Sequence, residues 1–202
     1  MDLNDRLARR LQALRSAQGL SLDALATRSG VSRSAISLIE RGQSSPTATV
    51  LDRLSAALGV TLASLFEQPT GDGAPAAPSP LSRRADQPLW TDPASGYRRR
   101  NLSPSLSPSL QAPLQLVEVD FPPGARVAYE TGPRPATVHQ QIWVMAGCMQ
   151  LSVGADRWLL QTGDCLAMQL DQPTFFHNPG DQPARYLVAL VTGPSADRRS
   201  PA

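Results

Sequence analysis

The stretch Gly30-Val31-Ser32-Arg33-Ser34-Ala35-Ile36-Ser37-Leu38-Ile39-Glu40-Arg41-Gly42 decides the fold of the first third of the chain. Ser32 is a residue type that accepts a hydrogen bond from a first-turn N–H, and Gly42 permits the left-handed turn that ends a helix. At about 100° per residue, Ala35, Ile36 and Ile39 share one side, with Ser32 and Glu40 at its margins. Arg33, Ser34, Ser37, Leu38 and Arg41 share the other, which carries no acidic residue. Guanidinium groups pair with guanine edges or phosphates, hydroxyls serve base or backbone, and an apolar group meets a thymine methyl. The first face suits a hydrophobic core and the second a DNA major groove.

Outward from this helix, the flanking segments repeat the same grammar. Leu3, Leu7, Leu11 and Leu14 recur at helical spacing among Arg6, Arg9, Arg10 and Arg15, and Gly19 is the stop. Ser21 caps a second helix that turns Leu22, Leu25 and Ala26 inward and ends near Gly30. The short turn Ser29-Gly30-Val31-Ser32 joins it to the opening helix, which makes a helix-turn-helix. After the polar turn Gln43-Ser44-Ser45-Pro46, Thr47 caps a fourth helix with Val50, Leu51, Leu54, Ala57 and Leu58 on its apolar face. Gly59 ends it, and Thr61 starts a fifth carrying Leu62, Leu65 and Phe66. Five short helices with inward stripes predict one small all-α core.

Residues 6 to 66 resemble the phage-repressor and Xre-type helix-turn-helix family. The matching pieces are Leu-Arg-x-x-x-Gly-Leu-Ser at 14 to 21, Leu-Ala at 25 to 26, Gly-Val-Ser at 30 to 32 and Ile-Glu-Arg-Gly at 39 to 42. Pro46 and Leu54-x-x-Ala57-Leu58-Gly59-Val60 complete the ordered set. The resemblance implies binding of double-stranded operator DNA, with the third helix in the major groove. It maps base reading onto Arg33, Ser34, Ser37 and Leu38, and backbone contacts onto Ser21, Ser32, Arg41, Gln43 and Ser44. It also implies that Glu40, which would repel phosphate, pairs with Arg15 of the first helix.

Residues 68 to 88 are rich in Pro, Gly and Ala and read as a tether, since such a segment cannot bury enough surface to offset its ordering entropy. Arg83 and Arg84 within it could touch DNA or the second domain. From residue 89 to 193 the pattern becomes short and alternating. Strand-like runs are 114–121, 126–131, 138–146, 149–153, 157–161, 165–170, 174–178 and 185–191, separated by Pro and Gly turns. Many short strands at this spacing predict a sandwich or barrel. Residues 194–202 read as a frayed tail.

The turn Pro122-Pro123-Gly124, the run Ile142-Trp143-Val144-Met145-Ala146-Gly147 and the pair Gly163-Asp164 resemble the cupin family of small jelly-roll barrels. The second cupin motif registers as Gly163, Gln169, Asp171, Thr174 and Asn178, with Thr174 where the metal-binding histidine belongs. In the first motif, Gln140 replaces the glutamate and Glu130 the first histidine. The only histidines, His139 and His177, fall one residue out of phase with the inward positions. A cupin metal site needs about three or four converging ligands, so no metal, no cofactor and no catalytic constellation is expected. Residues that could line a pocket for a small-molecule effector are Tyr129, Glu130, His139, Gln140, Ile142, Met168, Thr174, Phe176 and His177. Trp143 and Trp158 read as packing or dimer-surface residues.

The 202 residues are 41% apolar and 18% charged, carry 19 prolines and have a formal net charge of +2, so the whole-chain balance names no partner. Cys148 and Cys165 make neither a metal spacing nor a disulfide framework. No apolar run approaches the roughly 20 residues of a membrane span, and the polar N-terminus is no signal peptide, so a cytoplasmic protein is expected. The expectation is a multidomain α plus β chain. A five-helix repressor-like domain occupies residues 1–67, and a cupin-like jelly-roll β-barrel that senses an effector or holds a homodimer occupies residues 89–193. It reads as a transcriptional regulator and not an enzyme. The competing readings are a metal-dependent cupin enzyme with an autoregulatory DNA-binding head, and a ligand-free structural dimeriser.

Overall fold

The computed structural model describes residues 3–66, 79–104, 114–130 and 137–193; most of the tether and the whole C-terminal tail lie outside them. The first section folds as α1 (Leu3–Ala17), α2 (Leu22–Ser29), α3 (Arg33–Glu40) and α4 (Ala48–Ala57). Each cap is the one its sequence announces. Ser21, Ser32 and Thr47 accept from the N–H groups of Ala24, Ala35 and Val50. Gly42 takes a φ of 68° just past α3, where its N–H bonds to Ile39 and that of Gln43 bonds to Leu38. This is a Schellman ending, and α1 and α4 close in the same way at Gly19 and Gly59. Leu7, Leu11, Leu25, Ile36, Ile39, Leu51 and Leu54 meet in the core, each no more than 3% exposed.

The expected fifth helix is a single 3-10 turn, Ala63–Phe66. The Thr61 hydroxyl accepts from the Ser64 N–H at 3.1 Å and holds that turn. Leu65 and Phe66 are buried by it. One turn already satisfies the apolar pattern, so the domain has four α-helices and a 3-10 turn rather than five helices.

Among the described residues ten strands follow: β1 (Leu89–Thr91), β2 (Arg98–Asn101), β3 (Leu114–Phe121), β4 (Arg126–Tyr129), β5 (Thr137–Ala146), β6 (Cys148–Val153), β7 (Asp156–Gln161), β8 (Cys165–Gln169), β9 (Thr174–His177) and β10 (Ala184–Gly193). They form two antiparallel sheets, ordered β1-β2-β3-β10-β5-β8 and β4-β9-β6-β7. From β3 onward the pairing is nested. β6 pairs β7, β5 pairs β8, β4 pairs β9 and β3 pairs β10, and successive pairs alternate between the sheets. The inward faces carry Val117, Val119, Phe121, Ile142, Val144, Met149 and Leu151, all buried. Strands β3 to β10 fall close to the predicted runs; β4 is described as a strand only to Tyr129, and Thr131 lies outside the described residues. Two strands were not anticipated, β1 and β2, because Leu89-Trp90-Thr91 is short and Arg98-Arg99-Arg100-Asn101 has no apolar alternation.

The helical and strand sections are joined by more than the tether. Asp92, 2% exposed and just beyond β1, accepts at Oδ1 from the Ala48 N–H at the start of α4. Its Oδ2 accepts from the Ser95 N–H and hydroxyl. Around it, Thr49 donates to the Ala128 carbonyl, Arg53 pairs with Glu130, and Thr61 donates to Gln115. Arg84 reaches Glu118 of β3 at 3.7 Å. An aromatic series crosses the junction from Phe66 to Trp90, Tyr97, Phe121, Tyr186, Phe176 and Tyr129, with ring centroids 5.5 to 6.3 Å apart. Removing the Asp92 acceptor strands a buried helix-terminal N–H, so Asp92→Ala is expected to cost about 1–3 kcal/mol. Asp92→Asn, which keeps an acceptor, is expected to lose less than half of that. Urea denaturation of the full chain measures both.

Candidate nucleic-acid interface and interdomain cavity

Two features fix α3. Ile36 and Ile39 seat its inner face in the core. At its C-terminal end, Arg15 donates from Nε and one terminal nitrogen to the two carboxylate oxygens of Glu40, at 2.7 and 2.8 Å. The other nitrogen of Arg15 donates to the Leu20 carbonyl at 2.7 Å, tying the end of α1 into the same junction. The side chains are 15% and 6% exposed, so this fork is largely shielded from water. The hydrogen bond to Glu40 raises the Arg15 pKa above its ordinary value, against the opposing effect of burial.

The opposite face stands in solvent. Arg33, Ser34 and Leu38 are exposed and Ser37 is half-buried beside them. Leu38 is 39% exposed, an apolar side chain with no core to enter. Arg33 lies 3.3 Å from Asp23 of α2, but both side chains are more than half exposed, so this pair is weak and readily exchanged for another anion. Ser21, Ser32, Arg41, Gln43 and Ser44 are exposed around the rim. Ser32 spends its hydroxyl oxygen on the Ala35 N–H, and Arg41 Nε donates to the Ser37 carbonyl.

A second site lies where the helical section meets the sandwich. A cavity of about 60 Å³ is lined from the helices by Asp52, Thr61, Leu62 and Ala63, and from the strands by Tyr97, Arg99, Tyr129, Gln140, Thr174, Phe176 and Tyr186, among others. Tyr97 and Tyr129 share a hydroxyl–hydroxyl bond of 3.0 Å. Burial raises the pKa of Tyr97, Tyr129 and Tyr186, while the charge of Arg99, which lines the same cavity, lowers each in part. These phenols stay protonated and able to donate.

A helix-turn-helix family model, HTH_3, matches residues 11–65, the span that contains α2, the turn and α3. Residues 11–65 are a helix-turn-helix domain of the HTH_3 family. A domain of this kind binds DNA by setting its second motif helix into the major groove. No curated protein matches the chain. Among solved structures, an HTH_3 family transcriptional regulator from Vibrio cholerae superposes with a TM-score of 0.72 at 23% identity, covering 94% of this chain and 96% of that one. The shared fold therefore runs through both sections. The Cupin_2 domain of an XRE family transcriptional regulator from Enterobacter cloacae gives 0.41 at 16% identity, over 47% of this chain and 95% of that one. Hydroxypropylphosphonic acid epoxidase from S. wedmorenis gives 0.44 at 18%, over 93% and 97%.

Of the pocket residues expected from sequence, Tyr129, Gln140, Thr174 and Phe176 line the cavity beneath the HTH_3 domain. The other five do not. Glu130 points outward to Arg53 and its side chain is 71% exposed. Ile142 is fully buried in the sandwich core. His139 and Met168 line a separate groove with Leu114, Gln141 and Val191, because strand alternation sends His139 to the outer face while Gln140 turns in. His177 shares its face with Phe175, bonds to Gln150 at 3.1 Å, and has its pKa lowered by burial and by Arg126. Cys148 and Cys165 sit in different sheets and are both free thiols. Among the described residues no three His, Cys, Asp or Glu converge as a metal site.

Sequence reasoning missed Tyr97, Arg99 and Tyr186, and it missed the helical roof. Tyr97 and Arg99 are two apart on one extended segment and so share a face; a Tyr-x-Arg alternation was the available signal, hidden inside an arginine run. Cutting the Arg15–Glu40 fork leaves one charge shielded and unpaired, so Glu40→Ala is expected to destabilise the HTH_3 domain by about 2–4 kcal/mol, somewhat below the loss for a fully buried pair. Chemical denaturation followed by helical circular dichroism measures it, and Asp23→Ala, which cuts only the exposed pair with Arg33, is expected to change stability by less than about 1 kcal/mol.

Proposed function

We propose that the chain is a sequence-specific transcriptional regulator, in which residues 1–67 read an operator and residues 89–193 form a cupin-like jelly roll that senses a small molecule and holds a homodimer. One observation carries the reading. The outer face of α3 keeps two arginines, two serines and a leucine free of the core while the inner face and the Arg15–Glu40 fork fix its direction. In this reading Arg33, Ser34, Ser37 and Leu38 meet base edges, and Ser21, Ser32, Arg41, Gln43 and Ser44 meet the backbone. The nested strand pairing supports the jelly roll. The similarity to a regulator of the same overall fold agrees with the assignment.

Homodimer formation rests on the outer face of the six-stranded sheet. Leu114 of β3, Val191 of β10 and Trp143 of β5 are 44%, 38% and 48% exposed there, with Ala189 of β10 and Ala167 of β8 beside them and His139, Gln141 and Gln169 on the same face. An apolar strip of this kind on a soluble domain marks an interaction surface. A two-fold assembly through it would present two α3 helices to half-sites about 34 Å apart or a multiple of it.

Two experiments test the proposal. With the chain's own promoter region in a gel-shift or anisotropy assay, Arg33→Ala is expected to lose about 1–3 kcal/mol of discrimination against mutated sites while retaining its fold. Unchanged sequence preference would remove Arg33 from base reading. In sedimentation velocity, the native chain is expected to run as a dimer and Trp143→Arg as a monomer with weakened binding to a two-fold site. A monomeric native chain would end the dimer reading.

A further inference from the structure

The cavity between the HTH_3 domain and the sandwich holds a guanidinium, that of Arg99, beside the Asp52 carboxylate and three phenols. Arg99 is 8% exposed and projects from β2 among the phenols of Tyr97, Tyr129 and Tyr186. Its neighbours on β2 are less enclosed: Arg98 pairs with Asp120 at 2.9 Å and Arg100 is half-buried. Among the described residues, the Arg99 guanidinium has no hydrogen-bond or ion-pair partner. A guanidinium with so little access to bulk water is stabilised by an anion or a set of acceptors that meets it. The lining can still donate to an anion through the Tyr186 and Thr174 hydroxyls and through whichever of the mutually bonded Tyr97 and Tyr129 hydroxyls keeps its proton free, while the Gln140 amide nitrogen faces the Met168 sulfur at 3.9 Å. Asp52, on the helical wall, is the lining's one carboxylate among the described residues.

We infer that this cavity is a binding site for a small monocarboxylate, whose two oxygens are met by the Arg99 fork and the surrounding phenol hydroxyls. The inference rests on the small-molecule sensing proposed above and names the ligand class. A carboxylate matches the planar fork of Arg in two parallel bonds. The single guanidinium, with Asp52 across the cavity, favours one negative charge over two. At roughly 10–15 Å³ for each water-sized group, the 60 Å³ cavity admits roughly four to six non-hydrogen atoms, the size of acetate to pyruvate. The apolar remainder of such an acid would lie against Phe176, Leu62 and Ala63.

The site is shared. Asp52, Thr61, Leu62 and Ala63 belong to α4 and the turn that follows it, so the DNA-binding domain forms one wall. A ligand seated there contacts both sections at once, and its binding depends on how they are docked.

Calorimetric titration and thermal-shift measurements on the full chain, in buffer free of other carboxylates, test this with sodium propionate and sodium pyruvate. Propionamide serves as the neutral isostere and inorganic phosphate as the alternative anion. The expected result is saturable binding of propionate or pyruvate with a rising melting temperature, and none with propionamide. Arg99→Met is expected to weaken binding by roughly 10–100-fold, the loss of a charge-assisted pair. Arg99→Lys should recover part of it, and Tyr129→Phe, which keeps the ring and removes only the hydroxyl, should weaken binding by a smaller factor. Arg100→Met should bind as the native chain does. Equal binding of propionamide, or full binding by Arg99→Met, would overturn the carboxylate assignment and leave small-molecule sensing standing. Binding of phosphate alone would transfer the site to another anion class and overturn it too. If no probe binds and native mass spectrometry of the purified chain finds no bound small molecule, both the site and the sensing reading fail. Operator affinity measured with and without saturating propionate should differ; identical values would remove the shared-wall coupling.

Discussion

A carboxylate caps a helix to which it does not belong, and the relation between the two halves of this molecule depends on it. Asp92 lies at the end of the first strand, yet it meets the first N–H of α4. The positive end of the helix dipole and an orphan N–H both favour a negative acceptor there. Because Asp92 is almost wholly buried and its second oxygen is held by Ser95, it has little freedom to let go. Of the other polar contacts across the junction, Arg53–Glu130 is partly solvated and Thr49 to Ala128 lies at the surface, while Thr61 to Gln115 is part-buried at 2.8 Å. Burial of Phe66 against Trp90 supplies the apolar part of the seam. Direction comes from Asp92 and adhesion from the rings.

Two ion pairs in the HTH_3 domain use the same residue types with opposite consequences, and solvent decides between them. The Arg15–Glu40 fork is bidentate and shielded, so it locks α3 to α1 and a single truncation leaves a stranded charge. The Arg33–Asp23 contact is long and open to water, so it stabilises little and leaves Arg33 available. One acidic residue near the helix is thus structural and the other is a loose counter-ion. The division matches the two faces: every strong constraint on α3 acts from within, and the outward face is left to respond to a partner.

Local rules were the legible part of this sequence. Ser21, Ser32 and Thr47 as caps and Gly19, Gly42 and Gly59 as stops act within a few residues of themselves, so a linear reading reaches them. The phase of His139 against Gln140 was legible for the same reason, since alternation along one strand settles it. The length of the fifth helical element was not, because Thr61–Ser64 hydrogen bonding satisfies the same apolar pattern with one turn. Glu130 was misplaced because its partner, Arg53, comes from a helix some seventy-seven positions away in the chain. Arg99 was invisible for a related reason. A charged residue in an arginine run reads as surface, and only the pairing of β2 with β3 turns it inward.

The shared wall gives a physical basis for coupling without a separate relay. A ligand can shift an equilibrium only by binding two arrangements with different free energies. In a cavity closed wholly by the sandwich, movement of the HTH_3 domain would leave the ligand's surroundings unchanged and the difference would be zero. Here four lining residues ride on the DNA-binding domain, so any change in docking alters the volume and the contacts of the site. The aromatic series from Phe66 to Tyr129 packs along the same junction, and close-packed rings resist gradual deformation more than they resist a discrete shift. If the proposed site takes a carboxylate, linkage would run both ways: an operator that favours one docking would change the affinity for the carboxylate by the same factor as the carboxylate changes the affinity for the operator.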